Sequence, residues 1–356
     1  MTWIKKTGFM LVFLLVFLPF LGYSLGGLYN FLPTLLLFTL VPFIDYLVQD
    51  YSNPNDQQEY SLKKDWYFKA VTLIYVPVQI IFLSVAIYIV STHTLIWYEW
   101  LGFCLSIGAL TGGIGINLAH ELVHKNNTLE QFAGKVLLSM VFFGHFIIEH
   151  VRGHHIWVGT PHDPDTAKLG ENFYQFFPKA FIKSFIWSLK FEKNRLQKNQ
   201  HSFYSYHNQF WWIIFAPLAI SAFCYILGGW SALLFFIGQA IIAIFILETV
   251  NYIEHYGLER QKLANGQYEK VSFQHSWNAN HWLSNVILFQ LQRHADHHLN
   301  GAKPYQVLKH IDESPQLPTG YLGMIFLALI PPLWHKVMDK RVLDYRSKHN
   351  IQLNVR

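Results

Sequence analysis

The stretch Leu291-Gln292-Arg293-His294-Ala295-Asp296-His297-His298 carries three imidazoles within five positions. At ~100° per helical residue, His294, His297 and His298 fall within about a third of a turn, so all three can converge on one ion. Taken alone, the same cluster reads equally well as solvated surface, and its meaning depends on what the chain brings beside it.

Three more segments have the same character. His120-Glu121-Leu122-Val123-His124 sets two histidines at i and i+4 on one helical face, the zinc-hydrolase pattern with Glu121 as a candidate general base. In Glu149-His150-Val151-Arg152-Gly153-His154-His155, a regular helix places His150 and His154 together and turns His155 more than a quarter-turn away. That divergence predicts two metals rather than one, with His155 and His150 on different ions. Asn251-Tyr252-Ile253-Glu254-His255-Tyr256-Gly257 adds one imidazole and one carboxylate. The sum is His120, His124, His150, His154, His155, His255, His294, His297 and His298. One tetrahedral zinc takes at most four ligands, so nine imidazoles suit two ions. Residue type does not name the metal, because imidazole serves zinc, copper, iron and nickel alike. Glu121, Glu149, Glu254 and Asp296 stand beside the ligands and could orient ring N–H groups.

These residues must be positioned by a membrane protein. Hydrophobic residues make up 52% and charged residues 14% of the 356, with a mean hydropathy of +0.21, well away from soluble averages. The net charge of +5 comes without a long basic run, which argues against nucleic acid. Cys104 and Cys224 both lie in apolar runs, too few for a disulfide framework or a thiolate site.

Six apolar runs approach the ~20 residues that a crossing helix needs: Phe9 to Leu28, Phe31 to Val48, Phe68 to Val90, Leu95 to Leu118, Phe210 to Leu227 and Ala232 to Ile253. No small-residue cleavage site follows the first, which reads as a retained span rather than a signal peptide. The runs pair into three hairpins joined at Gly27 to Leu32, Ser91 to Thr94 and Gly228 to Ser231, and none of these turns holds Lys or Arg. All 27 basic residues lie on the other side or at the span ends beside it, which the positive-inside rule makes cytoplasmic. The four histidine segments fall on that side. The run Val136 to Ile148 is too short to span and predicts a re-entrant or buried helix, and Tyr321 to Ile330, stopped by Pro331 and Pro332, predicts an interfacial one. The expected fold is therefore all-α and integral to the membrane. It is a single domain over 1–356, with six transmembrane helices in three hairpins and a cytoplasmic histidine-rich cap from 119–209 and 254–356.

The four histidine segments, with Thr160-Pro161-His162-Asp163-Pro164 and His275-Ser276-Trp277-Asn278-Ala279-Asn280-His281, resemble the membrane-bound alkane 1-monooxygenases. That family sits within the integral-membrane, histidine-rich di-iron hydroxylases and desaturases. The likeness continues through Asp312-Glu313-Ser314-Pro315-Gln316-Leu317-Pro318 to Pro331-Pro332-Leu333-Trp334 and covers about Phe31 to Val342. His162 stands where acids or other polar residues are equally expected, and it is not taken as a ligand.

The resemblance implies two non-haem irons held by the nine histidines. It also implies O2-dependent hydroxylation of the terminal carbon of medium- or long-chain alkanes, in a bacterial inner membrane with the site on the cytoplasmic side. A rubredoxin iron needs four thiolates and this chain has two cysteines, so a separate rubredoxin with its reductase is the implied electron donor. Alkane partitions into the bilayer at ~0.8 kcal/mol per methylene, and a channel among the first spans would collect it. The candidates for that channel are Phe38, Phe43, Leu110 and Ile114, with the polar Asp45 and Asn117, because polarity within a membrane is costly. Rival readings are a fatty acyl desaturase or aromatic side-chain hydroxylase, an intramembrane zinc protease built on His120 and His124, and a histidine-lined metal transporter or sensor.

Overall fold

The computed structural model describes residues 3–349 and 351. Helices dominate the described residues. Among the described residues β pairing is confined to isolated bridges, Gln49 with His281, Lys262 with Tyr268 and Asn278 with Gln316.

Among the described residues, five helices are long and apolar enough to cross a membrane: Lys5–Leu25, Gly27–Leu47, Trp66–Thr92, Trp97–Val123 and Phe210–His255. Unbroken, the last would be ~69 Å long at ~1.5 Å per residue, more than twice a ~30 Å hydrocarbon layer. It leaves helical geometry at Gly228 (φ −142°, ψ 19°) and Gly229 (φ 59°, ψ −145°), and the positive φ is one that glycine adopts without strain. The break divides 210–227 from 230–255.

The turns at this end touch one another. Gly27 N–H donates to Glu99 Oε1 at 2.6 Å, Ser231 Oγ donates to the Val90 carbonyl at 2.9 Å, and Gly228 packs on Ser91. In the hydrocarbon zone, Gly108 and Gly112 bring Trp97–Val123 against the last span so closely that a Cβ on Gly112 would meet Ala243 Cα at 2.7 Å. Small residues spaced by four allow such backbone approach where no hydrophobic effect drives helices together.

The short apolar run Val136 to Ile148 is not one helix, contrary to expectation. Its first part closes the helix Thr128–Ser139, and a turn with Phe142 at φ 55° leads into Phe146–Glu149. Gln239 of the last span donates to the Met140 carbonyl at 2.8 Å, satisfying a carbonyl that the broken helix leaves open. Tyr321–Ala328 is a separate helix, and Pro331 and Pro332 open the next, Pro331–Lys348, where a missing N–H costs nothing.

The segment carrying the last histidine cluster is fastened from below. Arg293, 1% exposed, donates to the carbonyls of Leu308 at 2.7 Å, Ser52 at 3.0 Å and Asp50 at 3.2 Å. Asp45, fully buried, accepts the backbone N–H groups of Leu283 and Ser284, both at 3.0 Å, and the Ser284 hydroxyl. It caps the first turn of the helix Trp282–Ile287. The expectation that Asp45 lines a substrate path is therefore corrected: its oxygens are occupied by a helix N-terminus.

Candidate metal centre

Each histidine cluster reaches the site by its own local device. His120 lies in Asn117–Val123, immediately after a π-helical turn over Thr111–Ile116. A second π turn spans His150–His154. The helix His294–Leu299 follows two residues with positive φ, Phe289 (51°) and Gln290 (58°), and Asn278 Oδ1 accepts its Ala295 N–H at 2.8 Å. Trp277 N–H reaches the Glu254 carbonyl at 2.8 Å and Ala279 N–H the Gln292 carbonyl at 3.0 Å. The stretch from His275 to His281 thus ties the end of the last span to the final cluster.

The nine histidines assemble into two groups whose ligand atoms lie within 4.8 Å of one another: His120, His124, His150, His155 and His297 in one, His154, His255, His294 and His298 in the other. His150 and His155 share a group, and His154 belongs to the other, which overturns the assignment of His155 and His150 to different ions. The reason is the π turn. An i→i+5 repeat brings the fifth residue onto the face that a regular helix reserves for the fourth, and His155 Nε2 comes within 3.1 Å of His150 Nε2.

The spacing suits bound cations. His297 Nε2 lies 2.9 Å from His120 Nε2 and 3.0 Å from His155 Nε2, and His294 Nε2 lies 3.1 Å from His255 Nε2 and 2.9 Å from His298 Nε2. A neutral imidazole nitrogen has one proton or one lone pair, so it cannot serve two such neighbours. An ion bonded at ~2.1 Å to two imidazoles at right angles sets their nitrogens ~3.0 Å apart. His124 Nε2 is buried without any partner among the described residues. Burial first, then neighbouring imidazoles, hold His150, His155, His294, His297 and His298 well below the usual imidazole range, which keeps them neutral with lone pairs free to bind metal.

Two rings are oriented from behind. His154 Nδ1 lies 3.0 Å from Asp163 Oδ2, and His255 Nδ1 lies 2.9 Å from the His275 carbonyl. Burial lowers the affinity of His154 for a proton, but the Asp163 charge and hydrogen bond outweigh it and raise its pKa. Burial would likewise raise Asp163, yet His154 and the Thr166 hydroxyl hold it below the usual carboxylate range. Asp165, beside them, is pushed up to about 7 by burial and the Asp163 charge.

The four acids expected to orient ligands divide. Glu254 Oε2 lies 3.2 Å from His294 Nε2, the nitrogen that also faces His255 and His298, so it stands at the ligand atom and not behind the ring. Glu121 instead pairs with Lys125 at 2.6 Å and accepts the Tyr305 N–H. Asp296 pairs with Lys303 at 2.6 Å and accepts the Lys309 N–H at 2.7 Å, fixing the loop that follows the last cluster. Glu149 is buried, and burial and the neighbouring Asp165 raise its pKa well above the usual range. Glu121 and Asp296 are thus corrected to framework roles.

The sequence reading missed Asp163 as a ligand-orienting group, although its Asp-Pro dipeptide nine residues beyond His154 lay within a quoted motif. It also missed Gly301, where a Cβ would meet the rings of His124 and His155 at 3.0 Å. Of the channel candidates, Asn117 lines a small cavity with His120, Phe146, His150, Leu247, Val250, Asn251, Glu254, Leu291 and His294. At about 10 Å³ it has room for one water at most. Leu110 and Ile114 are buried in the core, Phe38 packs against it, and Phe43 is 61% exposed; none of the four lines this cavity.

The profile of the fatty acid desaturase family matches residues 95–328, which holds all nine histidines. Alkane 1-monooxygenase 1 of Pseudomonas aeruginosa is 43% identical over 321 residues, covering 89% of this chain and 84% of that one. Alkane 1-monooxygenase 2 of the same organism is 41% identical over 360 residues, covering 98% and 95%. The xylene/toluene monooxygenase hydroxylase component of Pseudomonas putida is 28% identical over 249 residues, covering 70% and 66%. Matching relatives along nearly its whole length and carrying a doubled histidine site beneath long apolar helices, the chain belongs to the fatty acid desaturase family and, within it, to the alkane 1-monooxygenases.

Proposed function

We propose that this protein is an integral-membrane alkane 1-monooxygenase that converts the terminal methyl of a medium- or long-chain alkane to a primary alcohol. The observation that carries this reading is the double histidine group set at one end of the long apolar helices, with Phe146, Leu247, Val250 and Leu291 placed beside histidines of both groups around one small cavity. The overall change is R–CH3 + O2 + 2 electrons + 2 protons → R–CH2OH + H2O. Two iron ions, one in each histidine group, would supply oxygen activation.

The chain's own residues do the rest. The five-histidine group and the four-histidine group each bring their ligand nitrogens within 4.8 Å of one another. Asp163 and the His275 carbonyl hold the His154 and His255 rings by Nδ1, which leaves Nε2 of each as the atom that would bind an ion. Leu247, Val250 and Leu291 offer only hydrocarbon to an incoming chain end and exclude water, while Asn117 and Glu254 mark the polar rim. Asn117 is itself held by donation to the Leu288 carbonyl at 2.6 Å.

The Gly228–Gly229 break supports six crossings in three hairpins, with the histidine groups on the cytoplasmic side of a bacterial inner membrane. Two cysteines cannot hold a rubredoxin iron and both are buried, so rubredoxin and its reductase deliver the electrons from outside. A surface pocket of about 530 Å³ lined by Lys168, Lys179, Lys183 and Lys190 also includes Asp163, and it offers an acidic donor a face close to His154.

The test is turnover of an alkane by the iron-loaded protein with O2 and a rubredoxin system. Primary alcohol is expected, and an alkene without alcohol would refute the reading in favour of a desaturase. The xylene/toluene relative supports one second reading, hydroxylation of an aromatic methyl group, which the same assay with xylene separates. Replacing His297 with Ala should abolish turnover and lower iron content while leaving membrane insertion intact.

A further inference from the structure

A groove on the other side of the helix Thr128–Ser139 from the histidine groups has the build of a lipid site. It encloses about 710 Å³ between the helices Trp66–Thr92, Thr128–Ser139 and the first half of Phe210–His255. Leu83, Ile87, Ile220 and Phe223 give it hydrocarbon walls, and it opens sideways past Phe223, which is 59% exposed. Its wall from Trp212 to Leu227 runs ~22 Å at ~1.5 Å per residue, longer than the ~15 Å hydrocarbon depth of one leaflet.

The two ends differ. Leu227 adjoins the Gly228 turn, which packs on Ser91. At the other end stands Lys135, and its neighbour Gly134 packs on Val123 and Ala119, so this end is level with the His120 turn. Among the described residues no carboxylate pairs with Lys135; its ammonium lies 5.4 Å from the centre of the Trp212 ring. The Trp212 indole N–H, at the same end, is buried without an acceptor among the described residues. A cation and a free donor beside a hydrocarbon trough are complementary to an amphiphile with an anionic head. An alkane would leave both unanswered.

We propose that this groove holds one acyl chain of an anionic phospholipid, with its phosphate at Lys135. The helix Thr128–Ser139 separates the groove from the histidines, so the bound lipid is a structural ligand and not substrate.

The test embeds the full-length, iron-loaded protein in nanodiscs of phosphatidylcholine with a minor share of phosphatidylglycerol, then weighs the retained lipid by native mass spectrometry. Wild type should keep one phosphatidylglycerol per chain with about fivefold preference over phosphatidylcholine, the worth of one lysine at an anionic surface. Lys135→Gln should erase the preference with alkane turnover unchanged, Lys135→Arg should keep it, and Ala216→Trp should fill the groove and release the lipid. Equal retention of the two lipids by wild type, or an undiminished preference in Lys135→Gln, would overturn the proposal. So would displacement of the lipid by added alkane, which would make the groove a substrate reservoir. Should Ala216→Trp fail to fold, the two Lys135 variants still decide.

Discussion

Asp163 Oδ2 lies 3.0 Å from His154 Nδ1, with the two side chains 0% and 2% exposed. The carboxylate fixes the tautomer of an imidazole whose other nitrogen faces three further histidines, and the Thr166 hydroxyl, donating at 2.6 Å, holds the carboxylate in turn. Partners of this kind typically change metal affinity or activity by ~10–100-fold. Asp163→Asn keeps the shape and loses the charge. Its iron content or its turnover should fall by that order, with the five-histidine group still loaded. Full iron and full turnover in this variant would show that the contact does nothing for the ligand.

The π turn at His150–His154 makes a second claim. If it sets the partition, His150→Ala and His155→Ala each remove a ligand from the same ion, whereas His154→Ala removes one from the other. Residues acting on one ion are coupled, so the double variant His150→Ala/His155→Ala should lose little more iron than either single one. Pairing His150→Ala with His154→Ala should strip both sites. Iron counted per chain by elemental analysis decides, and additive losses for His150 with His155 would contradict the shared site.

Much of this is legible in the sequence because it rests on length and spacing. Apolar runs near the crossing length announced the helices, and histidines at turn-like intervals announced the side chains that cluster. Facts depending on irregular backbone were not legible. A 3.6-residue period cannot register the extra residue in the π turn, so the sequence sorted His154 and His155 wrongly. Glu121 and Asp296 looked like ligand partners because they adjoin histidines in sequence, yet neighbours along a helix point to different faces, and each meets a lysine instead. Asp45 stood out as a buried charge, which was right, but its partner is a helix start 238 residues away. No local pattern contains that contact.

Acid stability provides a test away from the metals. His145 is 1% exposed, ringed by Phe143, Phe181 and Phe185, and burial holds its pKa down at about 3. Above the unfolded value of ~6.5 both states are neutral and it has no effect on pH dependence. As pH falls from there toward 3, the unfolded chain binds a proton that the folded one refuses, and stability drops by ~1.4 kcal/mol per unit. His145→Gln removes that proton from the balance. Its thermal midpoint should therefore decline less steeply than wild type between pH 6.5 and 5, in iron-loaded and iron-free protein alike. Parallel declines would mean that His145 is not held neutral.

The small cavity between His120, His150 and His294 bears on where oxygen enters the chain. Its apolar rim, Leu247, Val250 and Leu291, leaves about 10 Å³, so a chain end must part these side chains to reach the site and little beyond a methyl can follow it. Enlarging the rim should relax that restriction. Val250→Ala removes two methyl groups from a residue 6% exposed, and it should raise the proportion of 2-alcohol among the products while iron per chain stays constant. Val250→Phe should do the opposite, lowering kcat/KM for alkane by ~10-fold or more, as overpacking costs ~1–3 kcal/mol. Product ratios by gas chromatography on both variants test the assignment. An unchanged alcohol ratio in Val250→Ala together with undiminished kcat/KM in Val250→Phe would place the substrate's approach elsewhere.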